Sequence, residues 1–386
     1  MKSTSVRIAA FATIGVLALG ACGSTGESTD ASKASGGSTV ASAKVAKATS
    51  LKDIGTMADL EAAAKAEGQL NVIALPHDWS NYGEVIETFK KKYPEITVNE
   101  ANPNASSKEE IDAIKTNKGT DKAPDTVDVG AGVANEYADQ FAPYKVEAWD
   151  AIPAEVKDPE GRFTADYTGI MSLGYNKTKY GEINSFDQLT DPKFKSTVAL
   201  NGKPAEAGAA FNGFLSANLG NGGTLENLQP GLDYFKKLKD AGTLTTVDIS
   251  NATVDSGQTG VVFDWSYNQQ STKDRLAKQG VEWEYKVLPG AEVASYYNQA
   301  INADAPHPAA ARLWQEYLYS PEAQNLWMKG GATPVLLEKM KADKTVDEAA
   351  LATQVKTTKT PATYTSADSK RITAWLAANW DKTIGN

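Results

Sequence analysis

Apolar runs and helical patterns alternate along the chain from residue 51 onward. Residues 70–75 form a short apolar run that ends at Pro76, which predicts a buried strand. The apolar positions that follow recur at the spacing of one helix face: Tyr82, Ile86, Phe89 and Tyr93. Further strands are predicted at 96–98, 126–129, 169–176, 197–200, 260–263 and 283–288. This alternation predicts an α/β fold, with a mostly parallel sheet covered by helices on both faces.

Polar residues indicate where several helices begin. Asn81 with Glu84, and Ser106 with Glu109, have the spacing of a capping box, in which side chains satisfy the free N–H groups of the first turn. The Ser-Pro pair at 320–321 predicts another helix start, because proline suits the first turn of a helix.

The first 22 residues have the pattern of a secretory signal, with a basic start and an apolar stretch from 8 to 19. The stretch ends in LGAC at 19–22, which resembles the lipobox of bacterial lipoproteins, and Cys22 is the only cysteine of the chain. We therefore expect a lipid on Cys22, which would anchor the protein to the extracytoplasmic face of the cell membrane. Residues 23–50, mostly Gly, Ser, Thr and Ala, are predicted to be a flexible tether. The alternative is a plain secretory signal followed by an unrelated cysteine.

Composition argues against several classes of function. The 386 residues carry a formal net charge of −9 and no basic run, so a nucleic-acid partner is not expected. One cysteine allows no intrachain disulfide, and His77 and His307 are too few for a multi-histidine metal site. Common motifs of hydrolases, metalloproteases and nucleotide-binding loops are missing from the sequence. We therefore predict a protein that is not an enzyme and that uses no cofactor and no metal.

Three segments carry a resemblance to a known family. They are Gly169 to Asn176 (GIMSLGYN), residues 186–195 (FDQLTDPKFK) and, above all, Ile301 to Gln324, which contains YLYSPEAQ. With the lipobox, they resemble the extracellular solute-binding lipoproteins of ABC importers, which have the type II periplasmic-binding-protein fold. The resemblance covers essentially all of residues 51–386. It is greatest to the branch that binds spermidine and putrescine, ferric iron or aminoethylphosphonate.

The resemblance implies two α/β lobes, each with an open and mostly parallel sheet, joined by a hinge of two strands. Lobe one would comprise residues 51–168 and 295–386, and lobe two would comprise residues 169–294. A small solute would bind in the cleft between the lobes and close it. The chain would be a monomer that contacts the membrane only through its lipid, and its partners would be permease and ATPase subunits on separate chains. The alternative from a different class is a surface-anchored hydrolase or adhesion protein.

Two predicted loops at strand ends contain the same Asp-Trp-Ser triplet. Ligands of open α/β sheets bind at the carboxyl ends of strands, and these loops follow the predicted strands 70–75 and 260–263. The nominated ligand-binding residues of the two loops are Asp78, Trp79, Tyr82, Asp264, Trp265 and Tyr267. Aromatic faces attract cations and carboxylates add charge pairing, so these residues favour an organic amine such as a polyamine. The alternative is that the tryptophans pack between elements and that the aspartates cap helices.

Three further positions complete the predicted site. Gly132 follows a strand and would let the backbone approach a ligand, Ala207 lies near a helix start, and Tyr297 lies at the second crossover between the lobes. A tight turn, an ordinary helix start and hinge packing are the alternatives. Helix starts can bind anions, so a phosphonate or sulfate is the second hypothesis. Ferric iron is the third, although the sequence at 265–267 is Trp-Ser-Tyr where ferric binders have adjacent tyrosines; sugars and thiamine-like heterocycles also stay open.

Overall fold

The structure is a computed structural model that describes residues 44–385. The predicted signal peptide, Cys22 and the part of the predicted tether before residue 44 lie outside the described residues. Within 44–385, no helix combines the length and the apolar composition that crossing a lipid bilayer requires.

The described chain alternates between strands and helices. The strands are β1 Gln69–Ile73, β2 Thr97–Ala101, β3 Thr126–Gly130, β4 Phe141–Ala142, β5 Phe163–Asn176, β6 Val198–Leu200, β7 Leu244–Thr245, β8 Val261–Trp265, β9 Trp283–Lys286, β10 Ala294–Asn302 and β11 Thr333–Pro334. The helices are α1 Leu51–Ile54, α2 Met57–Glu67, α3 Tyr82–Lys92, α4 Ser107–Thr116, α5 Ala131–Glu136, α6 Lys177–Tyr180, α7 Gly208–Gly220, α8 Gln229–Asp240, α9 Asn251–Asp255, α10 Ser266–Ala277, α11 Pro308–Leu318, α12 Pro321–Lys329, α13 Leu337–Asp343, α14 Glu348–Ala352 and α15 Ser366–Thr383. Short 3-10 helices lie at Ala138–Gln140, Trp149–Ala151, Ala154–Val156, Phe186–Thr190 and Pro192–Phe194.

Strand β5 connects the two lobes. Its residues up to Ile170 pair with β10, whereas its residues from Met171 onward pair with β8 and β9. Lobe one is therefore built around β1–β4 and β10, and lobe two around β6–β9. The chain leaves lobe one on β5 and returns on β10, so these two strands form the hinge.

The sheets are mixed, which corrects the expectation of mostly parallel sheets. The pairs β1–β2, β6–β7 and β6–β8 are parallel, but the pairings of β5 and β10 with each other and with β3, β4, β8, β9 and β11 are antiparallel. The reason is the path of the chain: an outgoing hinge strand and a returning one run in opposite directions. A parallel pair would need a crossover connection between them within one lobe.

Short-range signals predicted two of three helix starts. Ser106 and Glu109 form the expected capping box at α4, and Ser320 accepts a hydrogen bond from the first turn of α12. The box predicted at Asn81 and Glu84 is wrong. Asn81 has a left-handed backbone with φ of 63°, and its side chain donates to the Glu84 carboxylate at 3.0 Å instead of capping α3.

Residues 44–50 pack against lobe one, which corrects the predicted end of the tether. Val45 and Ala48 are buried. The buried guanidinium of Arg312 donates to the carbonyl oxygens of Ala46 and Ala48, at 2.9 and 3.0 Å. A buried charge needs such acceptors, and this segment supplies them.

The C-terminal helix α15 packs on lobe two, although the sequence placed residues 295–386 in lobe one. The ring of Trp380 lies 5.3 Å from that of Phe235 and 6.1 Å from that of Phe214. Burying a tryptophan against these rings accounts for the position of the helix. The segment 353–365, which precedes α15, therefore crosses from lobe one to lobe two.

Candidate functional site

A cavity of about 230 Å³ lies between the lobes. Lobe one contributes the start of α5, lobe two contributes the start of α7, and β10 and α15 complete the wall. The lining residues are 130–133, 204–208, Phe211, Asn212, Trp265, 295–297, Tyr364, Thr365, Ser369 and Thr373. The predicted residues Gly132, Ala207, Trp265 and Tyr297 are among them.

Three helices that begin beside this cavity lack a side-chain cap. Helices α5, α7 and α10 follow Gly130, Ala207 and Trp265, and none of these residues caps its helix with a side chain. In the part of the chain that the structure describes, the N–H groups of Gly208 and of residues 209–210 have no hydrogen-bond partner. The free N–H groups of a helix carry partial positive charge, so the start of α7 offers donors to an anion.

An aromatic cluster joins the two predicted Asp-Trp-Ser loops. The ring of Trp79 lies 5.0 Å from that of Tyr267 and 5.6 Å from that of Tyr297, and its Nε1 donates to the Tyr167 hydroxyl at 2.9 Å. Trp265 stacks on Tyr267 at 6.2 Å. The two loops were predicted to face each other across the solute. In this structure they touch directly, through Trp79 and Tyr267.

Two glycines allow the elements around this cluster to approach. A Cβ on Gly169 would lie 2.6 Å from the Tyr267 ring and 2.9 Å from the Trp265 ring, so β5 can carry only glycine at that point. Gly331 lies against the start of α10, where the Ser266 hydroxyl donates to its carbonyl oxygen at 2.9 Å. That hydrogen bond runs directly from lobe two to lobe one.

Neither predicted aspartate presents a free carboxylate to the cavity. Asp264 is only 6% exposed, and its Oδ1 accepts from the Trp265 N–H at 2.8 Å and from the Asn268 amide at 3.1 Å. Burial raises the pKa of Asp264 to about 6, against the opposing effect of these hydrogen bonds. Asp78 is exposed and lies outside the cavity wall.

Tyr82 belongs to a buried cluster of acids below the aromatic rings. Its hydroxyl donates to Asp128 at 2.7 Å, and Gln299 donates to Tyr82 at 3.0 Å and to Asp166 at 2.9 Å. The Tyr167 hydroxyl also donates to Asp128, at 3.3 Å. Burial raises the pKa of Asp128 to about 7, although the hydrogen bonds from the Tyr82 and Tyr167 hydroxyls act to lower it. Burial and the charge of Asp128 raise the pKa of Asp166 well above its usual range. Tyr82 is fully buried here, so it has no surface to offer a solute.

Sequence reasoning missed the part of the wall that comes from the end of the chain. Tyr364 lies two residues before α15, and hydroxyl side chains follow it on the cavity wall, at the N-cap residue Thr365 and at Ser369 and Thr373 of the helix. The spacing of four residues between these hydroxyls is visible in the sequence. This spacing predicts only a polar helix face, however, and no neighbouring residue indicates that the face lies on the cavity wall.

Comparison with known sequences identifies a family. The profile of the bacterial extracellular solute-binding proteins matches residues 135–356 of this chain. The match covers more than half of the chain, from the end of α5 through the hinge strands and lobe two to the segment after α14.

Solved structures share the fold at low sequence identity. The periplasmic binding protein AfuA from Actinobacillus pleuropneumoniae, with fructose-6-phosphate bound, aligns with a TM-score of 0.59 and 20% identity over 82% of this chain and 98% of its own. AgtB from A. tumefacien R10, in complex with agropinic acid, aligns with a TM-score of 0.61 and 15% identity over 83% of this chain and 99% of its own. A ferric binding protein from Campylobacter jejuni aligns with a TM-score of 0.58 and 16% identity over 81% of this chain and 99% of its own. These alignments confirm the predicted two-lobed α/β fold of periplasmic binding proteins.

Proposed function

Because this chain belongs to the family of bacterial extracellular solute-binding proteins, we propose that it captures a small organic anion and delivers it to the permease of an ABC importer. The observation that carries the proposal is the uncapped start of α7 on the wall of the interlobe cavity, with its free N–H groups from Gly208 onward. A phosphate or carboxylate there would accept hydrogen bonds and interact favourably with the helix dipole. Phe211 and Trp265, on the same wall, would cover the carbon part of the solute.

The geometry supports an anion better than the organic amine that the sequence favoured. An amine needs a free carboxylate among the aromatic rings, but Asp264 is hydrogen-bonded within its own loop and Asp78 lies off the wall. Glu206 is on the wall and exposed, where it suits a hydroxyl or amino group that the anion also carries. AfuA and AgtB, which share the fold, were solved with a sugar phosphate and with agropinic acid.

Ferric iron has less support. A ferric site uses ionised tyrosines, and burial raises the pKa of both Tyr267 and Tyr297, which opposes their ionisation. Among residues 44–385, no three or more His, Cys, Asp and Glu side chains are grouped as they would be to hold a metal ion.

The role of α7 can be tested by removing one N–H group. Gly208→Pro should lower the affinity for the anion about tenfold to a hundredfold, because a hydrogen bond to a charged group is lost. Proline suits the first position of a helix, the extended backbone of Ala207 tolerates a following proline, and nothing lies within 4 Å of a Cβ at 208. Calorimetry with fructose-6-phosphate, agropinic acid, aminoethylphosphonate, sulfate, spermidine and ferric citrate would measure the effect.

The matched control is Gly208→Ala, which adds a Cβ but keeps the N–H and should bind close to the wild type. If the proline and alanine variants bind alike, the proposed role of α7 is wrong. If the wild type binds spermidine and none of the anions, the solute is a cation and only the family assignment stands.

We also propose that Cys22 anchors the mature, monomeric protein to the membrane, on the basis of the LGAC sequence. Cys22→Ser should leave the protein unprocessed or release it from the membrane. Solute affinity should not change, because the cavity is built from residues after 129. Cell fractionation and the mass of the mature protein would check this. Normal processing with full retention in the membrane would contradict it.

A further inference from the structure

We propose that Tyr364 donates a hydrogen bond to the anionic group of the solute, a role that rests on the proposed binding of an anion. Tyr364 lies on the cavity wall although it is more than 140 residues from α7 in the sequence. It arrives there on the segment 353–365, which crosses from lobe one to lobe two. This side chain would add one donor to the main-chain donors of α7.

The backbone on both sides of Tyr364 is held in place. Two residues before it, the Ala362 N–H donates to the Glu292 carbonyl at 2.9 Å, and the Ala294 N–H donates to the Ala362 carbonyl at 3.0 Å. One residue after it, the Thr365 side chain accepts from the backbone N–H of Asp368 at 3.1 Å and caps α15. A donor that is already fixed loses little entropy when a ligand binds.

The hydrogen bonds of Tyr364 commit its hydroxyl proton only to a long contact that an anion would replace. The Asn212 amide nitrogen donates to the Gly208 carbonyl at 2.8 Å and to the Tyr364 hydroxyl oxygen at 2.9 Å. The hydroxyl therefore already accepts a hydrogen bond, and it donates its own proton to the Ser295 hydroxyl over a long 3.5 Å, at the limit of a hydrogen bond. Burial raises the pKa of Tyr364, which keeps the phenol protonated.

The hydroxyl also lies in the right place. Asn212 joins it to the carbonyl of Gly208, so the Tyr364 hydroxyl lies beside the first turn of α7. The Tyr364 ring packs against Phe211 with 5.3 Å between centroids. A side-chain donor from the end of the chain and main-chain donors from the start of α7 thus line the same cavity. A phosphate or carboxylate has several oxygens and can accept from both.

The test is Tyr364→Phe, which keeps the ring and removes the hydroxyl. Its affinity for fructose-6-phosphate and for inorganic phosphate should fall about tenfold to a hundredfold relative to the wild type. The control is Tyr285→Phe, which removes a hydroxyl that donates to Gln270 outside the cavity. That variant should bind both probes with wild-type affinity.

A second measurement separates direct contact from a structural effect through the bond to Asn212. Addition of saturating probe should produce a tyrosine ultraviolet difference band in the wild type and in Tyr285→Phe, and this band should be lost in Tyr364→Phe. If Tyr364→Phe binds more weakly but still shows the tyrosine difference band, the proposed hydrogen bond from Tyr364 to the solute is wrong. Equal affinity of Tyr364→Phe and wild type would overturn the role of Tyr364 alone. If the wild type binds none of the anions named above, the anion assignment fails, and the role of Tyr364 fails with it.

Discussion

Gly331→Ala should hold the two lobes apart and weaken solute binding about tenfold to a hundredfold, as expected for overpacking of a close contact. A Cβ on Gly331 would lie 2.8 Å from the Gln270 Cβ and 3.1 Å from both the Ser266 carbonyl oxygen and the Tyr267 Cα. All three atoms belong to lobe two, and two of them are backbone atoms that cannot move away alone. The lobes must separate to make room.

Gly222→Ala is the matched control for the backbone. Gly331 has φ of 86° and Gly222 has φ of 85°, so alanine meets the same left-handed strain, roughly 1–2 kcal/mol, at both positions. Nothing lies within 4 Å of a Cβ at 222, however. Both variants should therefore unfold more easily in denaturant, but only Gly331→Ala should lose affinity. It should also have a larger radius of gyration by small-angle scattering with ligand present. Equal affinity of the two variants would show that Gly331 does not limit closure.

Stability should fall as the pH rises from about 4 to about 7, and Asp128→Asn should remove much of this dependence. Burial raises the pKa of Asp128 from the ordinary 3.8 of an aspartate to about 7, so the folded state binds a proton more tightly than the unfolded state. Its contribution to stability is therefore complete below the unfolded pKa and is lost as the pH rises through the folded pKa. Each unit of that difference corresponds to about 1.4 kcal/mol. Burial also raises the pKa values of Asp166 and Glu110, so they act in the same direction.

Urea unfolding at a series of pH values would measure this effect. Asp112→Asn, at an exposed position on α4, serves as the control and should keep the wild-type dependence on pH. The largest gain of Asp128→Asn over the wild type should appear above pH 7, where the wild-type carboxyl is ionised in the buried cluster. A gain that does not vary with pH would mean that proton binding by Asp128 is not the cause.

The features that could be predicted from the sequence are those that depend on neighbouring residues. The capping box at Ser106 and the helix start at Ser320 depend on a few neighbouring residues, and the structure confirms both. The positions of Gly132 and Ala207 on the cavity wall follow from the rule that ligands bind at strand ends. The exchange of partners along β5 has no such local signal.

The limits of prediction are clearest in β5. The apolar run predicted a strand at 169–176, but β5 begins at Phe163. Its first half contains Thr164, Asp166 and Thr168, which resemble the polar face of an exposed strand. All three are buried. Asp166 is tolerated there because Gln299, more than 130 residues away, donates to it. A buried polar residue whose partner is so distant cannot be recognised from its own surroundings.

The same reasoning applies to the solute class. The two Asp-Trp-Ser triplets predicted a cation site, because the sequence does not show whether a carboxylate faces the cavity or is hydrogen-bonded within its own loop. In the fold, Asp264 turns back to the Trp265 N–H and its carboxylate is used locally. Tyr364 had no motif to single it out, and only the packing of α15 on lobe two brings it to the cavity.

Ala362 forms an isolated parallel β-bridge with Val293, which adds a third stretch of chain to the two hinge strands. Ile170 of β5 pairs with Ala294 of β10, and Ala362 lies beside them, so three stretches of chain cross between the lobes side by side. A band three strands wide bends across its face, whereas the hydrogen bonds between its strands resist shear and twisting within its plane. We therefore expect the lobes to move mainly by bending of this band. A single distance between labels, one on each lobe, should then report how far the protein has closed.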